Sequence, residues 1–414
     1  MREQSKHKKF NFDRLRILQL CNRVPYPPAD GGTIAVIALL KHFAAHTENF
    51  HVLALNTLKH KADIDKIPAR ISKNASLKSV FIDTSLSPFK AFFNLFSNYP
   101  YQVERFYSEE FNRELILLLQ REKFDIVHFE SLFMTPYFET VRKYHHGKCI
   151  YRAHNIEFKI WERLLPSISN PLKKWYLGIQ TSRLRKLEIE ILNKFDAIVA
   201  ITEEDKIGMQ KTGANIPIHI TPFGIDPNEY PFAPSKNKIP VLYHLGDLIW
   251  RPNAEGLRWF LENCWDKLVK EIPDIKFRIG GRHIPECIRI KGNNNLIVEG
   301  EVVDAKKFIA QNDILIVPLQ SGGGMRVKII EAMSMGKTVI STSIGAEGIA
   351  YTEGENILIA NTAEEFMQQI IKCLSNPGSC SVLGEAARKL TTSKYNNEVL
   401  GNGLLEFYER LMSL

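Results

Sequence analysis

The 414-residue chain holds only six cysteines, Cys21, Cys149, Cys264, Cys287, Cys373 and Cys380, with no C-x-x-C pair and no His/Cys cluster. That spacing supports neither a zinc site nor a disulfide framework, and leaves the thiols as small apolar side chains. No apolar run approaches the ~20 residues of a membrane span. The first such run, 15–21, is too short for a secretion signal and ends in Asn22-Arg23-Val24-Pro25. The expectation is a cytoplasmic protein, at most peripheral to the inner face of a membrane. No G-x-G-x-x-G follows the first predicted strand; Asp30-Gly31-Gly32-Thr33-Ile34-Ala35 stands there instead, which does not fit a dinucleotide enzyme. No D-x-D lies at a predicted strand end, so neither a metal nor another cofactor is expected. The repeat periods of solenoids are absent.

The composition is that of a globular protein, 44% hydrophobic and 24% charged. The formal charge is +8, which suits nucleic acid, a phosphorylated substrate or an anionic membrane and does not choose among them. Nucleic acid has no other support and is not expected. Strands and helices alternate in two series, separated by the chain's most proline-rich stretch, with Pro227, Pro231, Pro234 and Pro240 around Lys236 and Lys238. The predicted fold class is α/β: two Rossmann-like domains with parallel sheets, facing an interdomain cleft. Predicted domains are 1–226 and 227–395, followed by a helix over 396–414 that packs back toward the first domain.

Residues 314–348 carry the strongest signal. An apolar, β-branched run (314–319) predicts a buried strand. Gln320-Ser321-Gly322-Gly323-Gly324 is a loop in which glycines permit close backbone approach. A helix is predicted over 325–335, ending at Gly336, then a second strand over 338–342. Strand, glycine loop and helix start together form an anion site. Arg326 and Lys328 fall in the predicted first helical turn, where cations oppose the helix dipole unless a bound phosphate balances them. Glu331 lies one turn from Val327 and Met335, on an otherwise apolar face. A carboxylate there needs a partner, such as a sugar hydroxyl.

Three stretches of the first series stand out. Gly31-Gly32 opens a predicted helix after a long loop, either as a turn or as a backbone floor near a ligand. The strand from Cys149 places Arg152, His154, Asn155 and Glu157 at its C-terminal end, where ligands bind in open α/β sheets. Residues 87–107 hold Phe89, Phe92, Phe93, Phe96, Tyr99, Tyr101, Phe106 and Tyr107. They read either as core or as an exposed patch for a lipid-linked acceptor or membrane surface.

These patterns resemble the group 1, family-4 retaining glycosyltransferases of the GT-B fold. The resemblance rests on Val317-Pro318-Leu319, the glycine loop, Lys328-Ile329-Ile330-Glu331-Ala332-Met333-Ser334-Met335-Gly336, Gly345-Ala346-Glu347-Gly348, Thr221-Pro222-Phe223-Gly224-Ile225-Asp226, Asp30-Gly31-Gly32 and His154. It implies that Glu331 binds the nucleotide ribose. Gly322, Gly323, Gly324 and Met325, with Gly246 and Arg251, belong to the donor site. Arg326 and Lys328 serve the diphosphate, and His154 hydrogen-bonds the transferred sugar. Gly31, Gly32 and Asn155 belong to the acceptor and diphosphate loop. The sequence departs from the family in two places. Gly323 stands where the first glutamate of an E-x7-E pair is usual. The Gly-Arg … Lys-Gly clamp is replaced by Gly246-Asp247-Leu248-Ile249-Trp250-Arg251-Pro252-Asn253. Similar W-x-P-N and G-x-R-x-K segments occur in a polysaccharide-biosynthesis subgroup, so the exchange reads as a variant clamp.

The implied reaction moves a sugar from a UDP- or GDP-sugar to a hydroxyl of a glycan or lipid-linked acceptor, with retention at the anomeric carbon. A sugar-nucleotide epimerase of the same fold and a catalytically impaired binding protein remain as alternatives. The first lacks its expected carboxylate set here; the second is suggested by Gly323.

Overall fold

The computed structural model describes residues 14–27, 31–68, 71, 74–234, 237, 239–289 and 294–413. Residues 1–13, for which the sequence predicts disorder, lie outside the described residues, as do Asp30, Lys236 and Lys238. The chain divides into two compact units, one of residues 1–222 with 400–414 and one of residues 223–399.

The first unit is built on a seven-stranded sheet in which every pairing is parallel. Its strands are β1 (Arg16–Cys21), β2 (Asn49–Thr57), β3 (Ala75–Ile82), β4 (Ile126–Glu130), β5 (Lys148–Ala153), β6 (Ala197–Ala200) and β7 (Ile218–Ile220). Their order across the sheet is β3-β2-β1-β4-β5-β6-β7, so the direction of winding reverses between β1 and β4. Alternation along each strand divides the core into two layers. Leu18, Leu20, Val127, Phe129 and Tyr151 face one, whereas Ile17, Cys21, Ile126 and Ile150 face the other. The second layer is closed by the helices Gly31–His46 and Asn397–Met412, through Leu40, Phe43, Leu404, Leu405 and Tyr408.

The second unit repeats the plan with six parallel strands: β8 (Leu242–Leu245), β9 (Phe277–Gly280), β10 (Leu296–Gly300), β11 (Ile314–Val317), β12 (Thr338–Ser341) and β13 (Leu358–Ile359). The order is β10-β9-β8-β11-β12-β13, with winding reversed between β8 and β11. Ile314 and Ile316 enter one core layer, Leu315 and Val317 the other. Gly256 lets the helix Arg251–Phe260 pack directly on the end of β11: a Cβ there would lie 2.4 Å from the Pro318 carbonyl oxygen. The expected pair of parallel-sheet Rossmann-like domains is therefore present.

The aromatic stretch 87–107 serves two purposes. Tyr101 and Phe106 are core residues, but Phe89, Phe92, Phe93 and Phe96 are exposed. They lie on or just beyond the helix Pro88–Asn94, whose start is capped by the Ser87 hydroxyl. Their rings contact mainly one another, Phe89 on Phe93 at 4.6 Å and Phe92 on Phe96 at 5.8 Å.

Candidate functional site

In the first unit, residues that follow the strands surround a cavity of about 660 Å³ at the winding reversal. Asn22 and Arg23 follow β1, Gly32 and Thr33 open the first helix, Ser131 follows β4, and His154, Asn155 and Glu157 follow β5. Gly31 begins that helix. His154 is half-buried, and its Nε2 lies 2.8 Å from Oε2 of Glu130.

Glu130 is the centre of the buried site. Parallel register sets it beside Cys21 on β1 and Arg152 on β5. Period-two alternation puts His128 on its own face. Arg152 Nη1 and His128 Nε2 each lie 3.3 Å from Glu130 Oε1, and Gln19 Nε2 donates to it at 2.6 Å. All four side chains are essentially removed from water. Burial alone would raise the Glu130 pKa. The Arg152 charge, then His128 and its hydrogen bond, then the His154 bond, outweigh it and hold this carboxyl well below the usual range. Burial pushes the His128 pKa down, opposed by Glu130; its Nδ1 meets the Tyr408 hydroxyl at 2.5 Å. An ionised Glu130 can only accept, so the bond to His154 requires the proton on Nε2. That leaves Nδ1 as the other functional position of the His154 ring. Ser131, just past Glu130, has φ 84° and ψ 162°, a region that ordinary side chains avoid and that recurs where a site constrains the backbone.

Glu157 carries a different electrostatic signature. Burial pushes its pKa up to about 7, opposed by a hydrogen bond from Asn155. Glu188 accepts from the backbone amides of Glu157 and Phe158 at 3.0 Å each, at the start of the helix Glu157–Leu164. Burial raises its pKa to about 8 despite those bonds.

In the second unit, the loop after β11 meets the loop after β8. Gly322 and Gly324 have φ of 110° and 84°, so those two glycines are required by the backbone; no such φ occurs at Gly323. The helix begins at Val327, and Arg326 is its N-cap with extended dihedrals. This corrects the expectation of Arg326 in the first turn. Its guanidinium turns back on the loop, donating from Nη1 to the Gly323 carbonyl at 2.6 Å and to that of Gly324. It also lies 5.0 Å from the Trp250 ring centre. Nε and Nη2 of Arg326 are buried with no hydrogen-bond partner among the described residues. Met325 is buried beside it.

Lys328 Nζ donates to Asn253 Oδ1 at 2.9 Å, and Asn253 donates to the Asp247 carbonyl. Gly246 makes room for this pair: a Cβ there would lie 2.9 Å from both Lys328 Nζ and Asn253 Nδ2. Loss of water, then the neighbouring Arg326 charge, lowers the Lys328 pKa to about 7 against the pull of Glu331. Glu331 accepts from the Tyr230 hydroxyl at 2.7 Å; burial raises its pKa, opposed first by that bond. Among the described residues, neither Arg326 nor Lys328 forms an ion pair with a carboxylate. Two adjacent, poorly hydrated cations with no directly paired carboxylate, reached only at longer range by Glu331 and Glu347, leave an electrostatic deficit that an anion would balance.

Arg251 does not join them. Its side chain is 76% exposed and pairs with Glu255 at 2.6 Å, because it occupies the first position of a surface helix with an acid one turn on. Sequence reasoning passed over Glu130, Gln19, His128 and Tyr230, and named Asn253 only as the end of the W-x-P-N segment. For Glu130 a signal existed: His128 and Glu130 are polar residues at alternate positions in an otherwise apolar strand.

Residues 29–229 match the family described as Glycosyltransferase Family 4, and residues 239–376 match that described as Glycosyl transferases group 1. An uncharacterized 44.6 kDa protein in the cps region of Klebsiella pneumoniae is 26% identical over 374 residues, covering 87% of this chain and 91% of its own. Among solved structures, the fold is similar to sucrose-phosphate synthase from Thermosynechococcus elongatus. That likeness has a TM-score of 0.68 at 16% identity, over 96% of this chain and 99% of that one. Anabaena HepE in complex with UDP is similar with a TM-score of 0.65 at 13% identity, over 96% and 100% of the two chains.

Proposed function

Because the chain belongs to the group 1 glycosyltransferases and has the GT-B fold, we propose that it transfers a sugar from a nucleoside diphosphate sugar, with retention, to a hydroxyl of a glycan or lipid-linked acceptor. The observation that carries this reading is the pair Arg326 and Lys328, cations with no directly paired carboxylate among the described residues, beside a glycine loop that brings backbone to the same place. The departing nucleoside diphosphate develops charge that these two groups and the loop amides would stabilise. Glu331 would take the ribose hydroxyls, with Tyr230 holding its carboxylate in position. His154 would hydrogen-bond the transferred sugar through Nδ1, and Gly31, Gly32 and Asn155 would belong to the acceptor side.

A UDP-sugar is the favoured donor, on the analogy of HepE, which is similar in fold and was solved with UDP. The relative in a cps region supports a role in cell-surface polysaccharide assembly. No helix among the described residues is long and apolar enough to cross a membrane. The exposed phenyl rings of Phe89, Phe92, Phe93 and Phe96, with Lys90 among them, would place the protein peripherally at the inner membrane face.

The test is incubation of the purified chain with UDP-, GDP- and ADP-sugars, following slow donor hydrolysis and the anomeric configuration of the product by NMR. Hydrolysis of one donor class with release of the retained anomer is expected. Neither turnover nor a thermal shift with any sugar nucleotide would refute the reading.

A further inference from the structure

Three positive features converge in the second unit. Arg326 and Lys328 flank the first residue of the helix Val327–Ser334, whose free amides add a third. The Arg326 charge lowers the Lys328 pKa, second only to loss of water. The other titratable groups that reach the pair offer it no hydrogen bond. Glu331 lies one turn along the same helix, Glu347 follows β12, and His244 on β8 is held neutral by burial and by the Lys328 charge. Repulsion alone would turn the long Arg326 side chain away from Lys328 and outward to water.

The Trp250 ring stands against that motion. Its centre lies 5.0 Å from the Arg326 guanidinium carbon, within reach of the negative π face. Gly322 closes on both groups: a Cβ there would lie 3.0 Å from Arg326 Nη2 and 3.1 Å from Trp250 Cζ2. The ring is itself fixed. Trp250 is the N-cap of the helix Arg251–Phe260, and its carbonyl accepts from the Asn253 amide at 3.0 Å. Gly256 seats that helix on the end of β11. Asn253, in the same turn, accepts from Lys328. One short segment thus carries a holder for each cation.

An aromatic holder has a chemical consequence. A carboxylate would also hold Arg326, but it would neutralise the charge and compete with an incoming anion. An indole face attracts the guanidinium and leaves its charge uncancelled. Nε and Nη2 of Arg326 keep no hydrogen-bond partner among the described residues. Resting on the glycosyltransferase reading, we propose that Trp250 is a positioning residue for the donor diphosphate: it holds Arg326 beside Lys328, so that the two charges are assembled before the nucleotide binds. Trp250 acts through Arg326 and touches no reacting atom. The cost of bringing two like charges together is met in folding, and binding is relieved of it.

The test follows the ligand-free Lys328 amine and UDP affinity separately, on the full chain. Lysine is labelled with carbon-13 at Cε, and the Lys328 signal is assigned by its loss in Lys328→Arg. In the wild type it should titrate near 7. Trp250→Ala releases the guanidinium from Lys328, so the amine should bind its proton about tenfold more tightly. Arg326→Gln should do the same, and combining the two substitutions should add nothing further. UDP affinity measured by calorimetry should fall about tenfold in Trp250→Ala. Trp250→Phe keeps an aromatic face; it should restore most of that affinity, which shows that the loss is not misfolding. A ring that touched the nucleotide directly would alter UDP affinity and leave the ligand-free titration unmoved. An unmoved titration in Trp250→Ala, or a wild-type amine already in the ordinary lysine range, overturns the proposal. Absent UDP binding by the wild type would refute the glycosyltransferase reading instead. The titration needs no ligand, so it still decides whether Trp250 holds the pair together.

Discussion

The two units place charge in opposite ways at equivalent positions of the same architecture. Each puts its ionisable residues at the ends of the strands where winding reverses. In the first unit, Glu130 is surrounded by Arg152, His128, His154 and Gln19, and the charges compensate one another within the protein. In the second, Arg326 and Lys328 bond loop carbonyls and an amide, and Arg326 lies against the Trp250 ring, with no directly paired carboxylate among the described residues. A self-compensated cluster fixes the orientation of a side chain; an uncompensated one stores affinity for a ligand. The same fold thereby supplies one half whose buried charges are paired internally and one whose cations lack a directly paired acid among the described residues.

Removing the central group of each cluster should break or sharpen this contrast. The largest effect is expected for Glu130→Ala, which leaves Arg152 buried without its acid. The first unit should lose about 3–5 kcal/mol in denaturant unfolding. A loss below ~1 kcal/mol would mean that Glu130 is not the centre of the network. Arg326→Gln should behave oppositely. Stability should be unchanged or slightly higher, while UDP affinity measured by calorimetry falls about ten- to hundredfold, the range for a charge-assisted hydrogen bond. Equal losses of stability in both variants would remove the distinction between the halves.

A smaller effect concerns Glu188, in the first unit, where burial outweighs the backbone amides and the pull of Lys159. Its folded pKa of about 8 lies above the unfolded value. The unfolded chain therefore releases this proton first as pH rises from about 4.5 to 8. Stability from this group is complete below that window and lost through it. The midpoint of thermal unfolding should fall by a few degrees between pH 5.5 and 8.5, and Glu188→Gln should flatten the slope. The smallest signal is a fraction of a proton. With a pKa of about 7, the Lys328 amine is mostly unprotonated at pH 8, and an arriving diphosphate raises its pKa. UDP binding at pH 8 should take up a proton and at pH 6 almost none, measured in buffers of differing ionisation enthalpy. Uptake independent of pH would sink the assignment.

Much of the architecture was legible because strands in parallel sheets are short, apolar and β-branched, and the runs beginning near residues 15, 149, 314 and 338 all pair as strands. The glycine loop and its two cations were legible from local chemistry alone. The Glu130 cluster was not. Its members at 19, 128, 130 and 152 are brought together by the parallel register of β1, β4 and β5, a long-range fact that no window of sequence contains. The aromatic stretch 87–107 left two readings open, and only folding divides its residues between core and exposed surface. Arg251, expected at the donor site, pairs instead with Glu255 on the helix surface, a local i,i+4 contact.

Tyr408 gives the support of His154 a temporal aspect. It reaches His128 from the last helix, across 280 positions of sequence. During synthesis the sheet that carries Glu130 and His154 leaves the ribosome long before the residue that completes its polar layer. A chain halted before Tyr408 would keep the strands and the cavity but leave His128 without its hydroxyl partner. Completion of the chain thus becomes a condition for a finished polar layer behind His154.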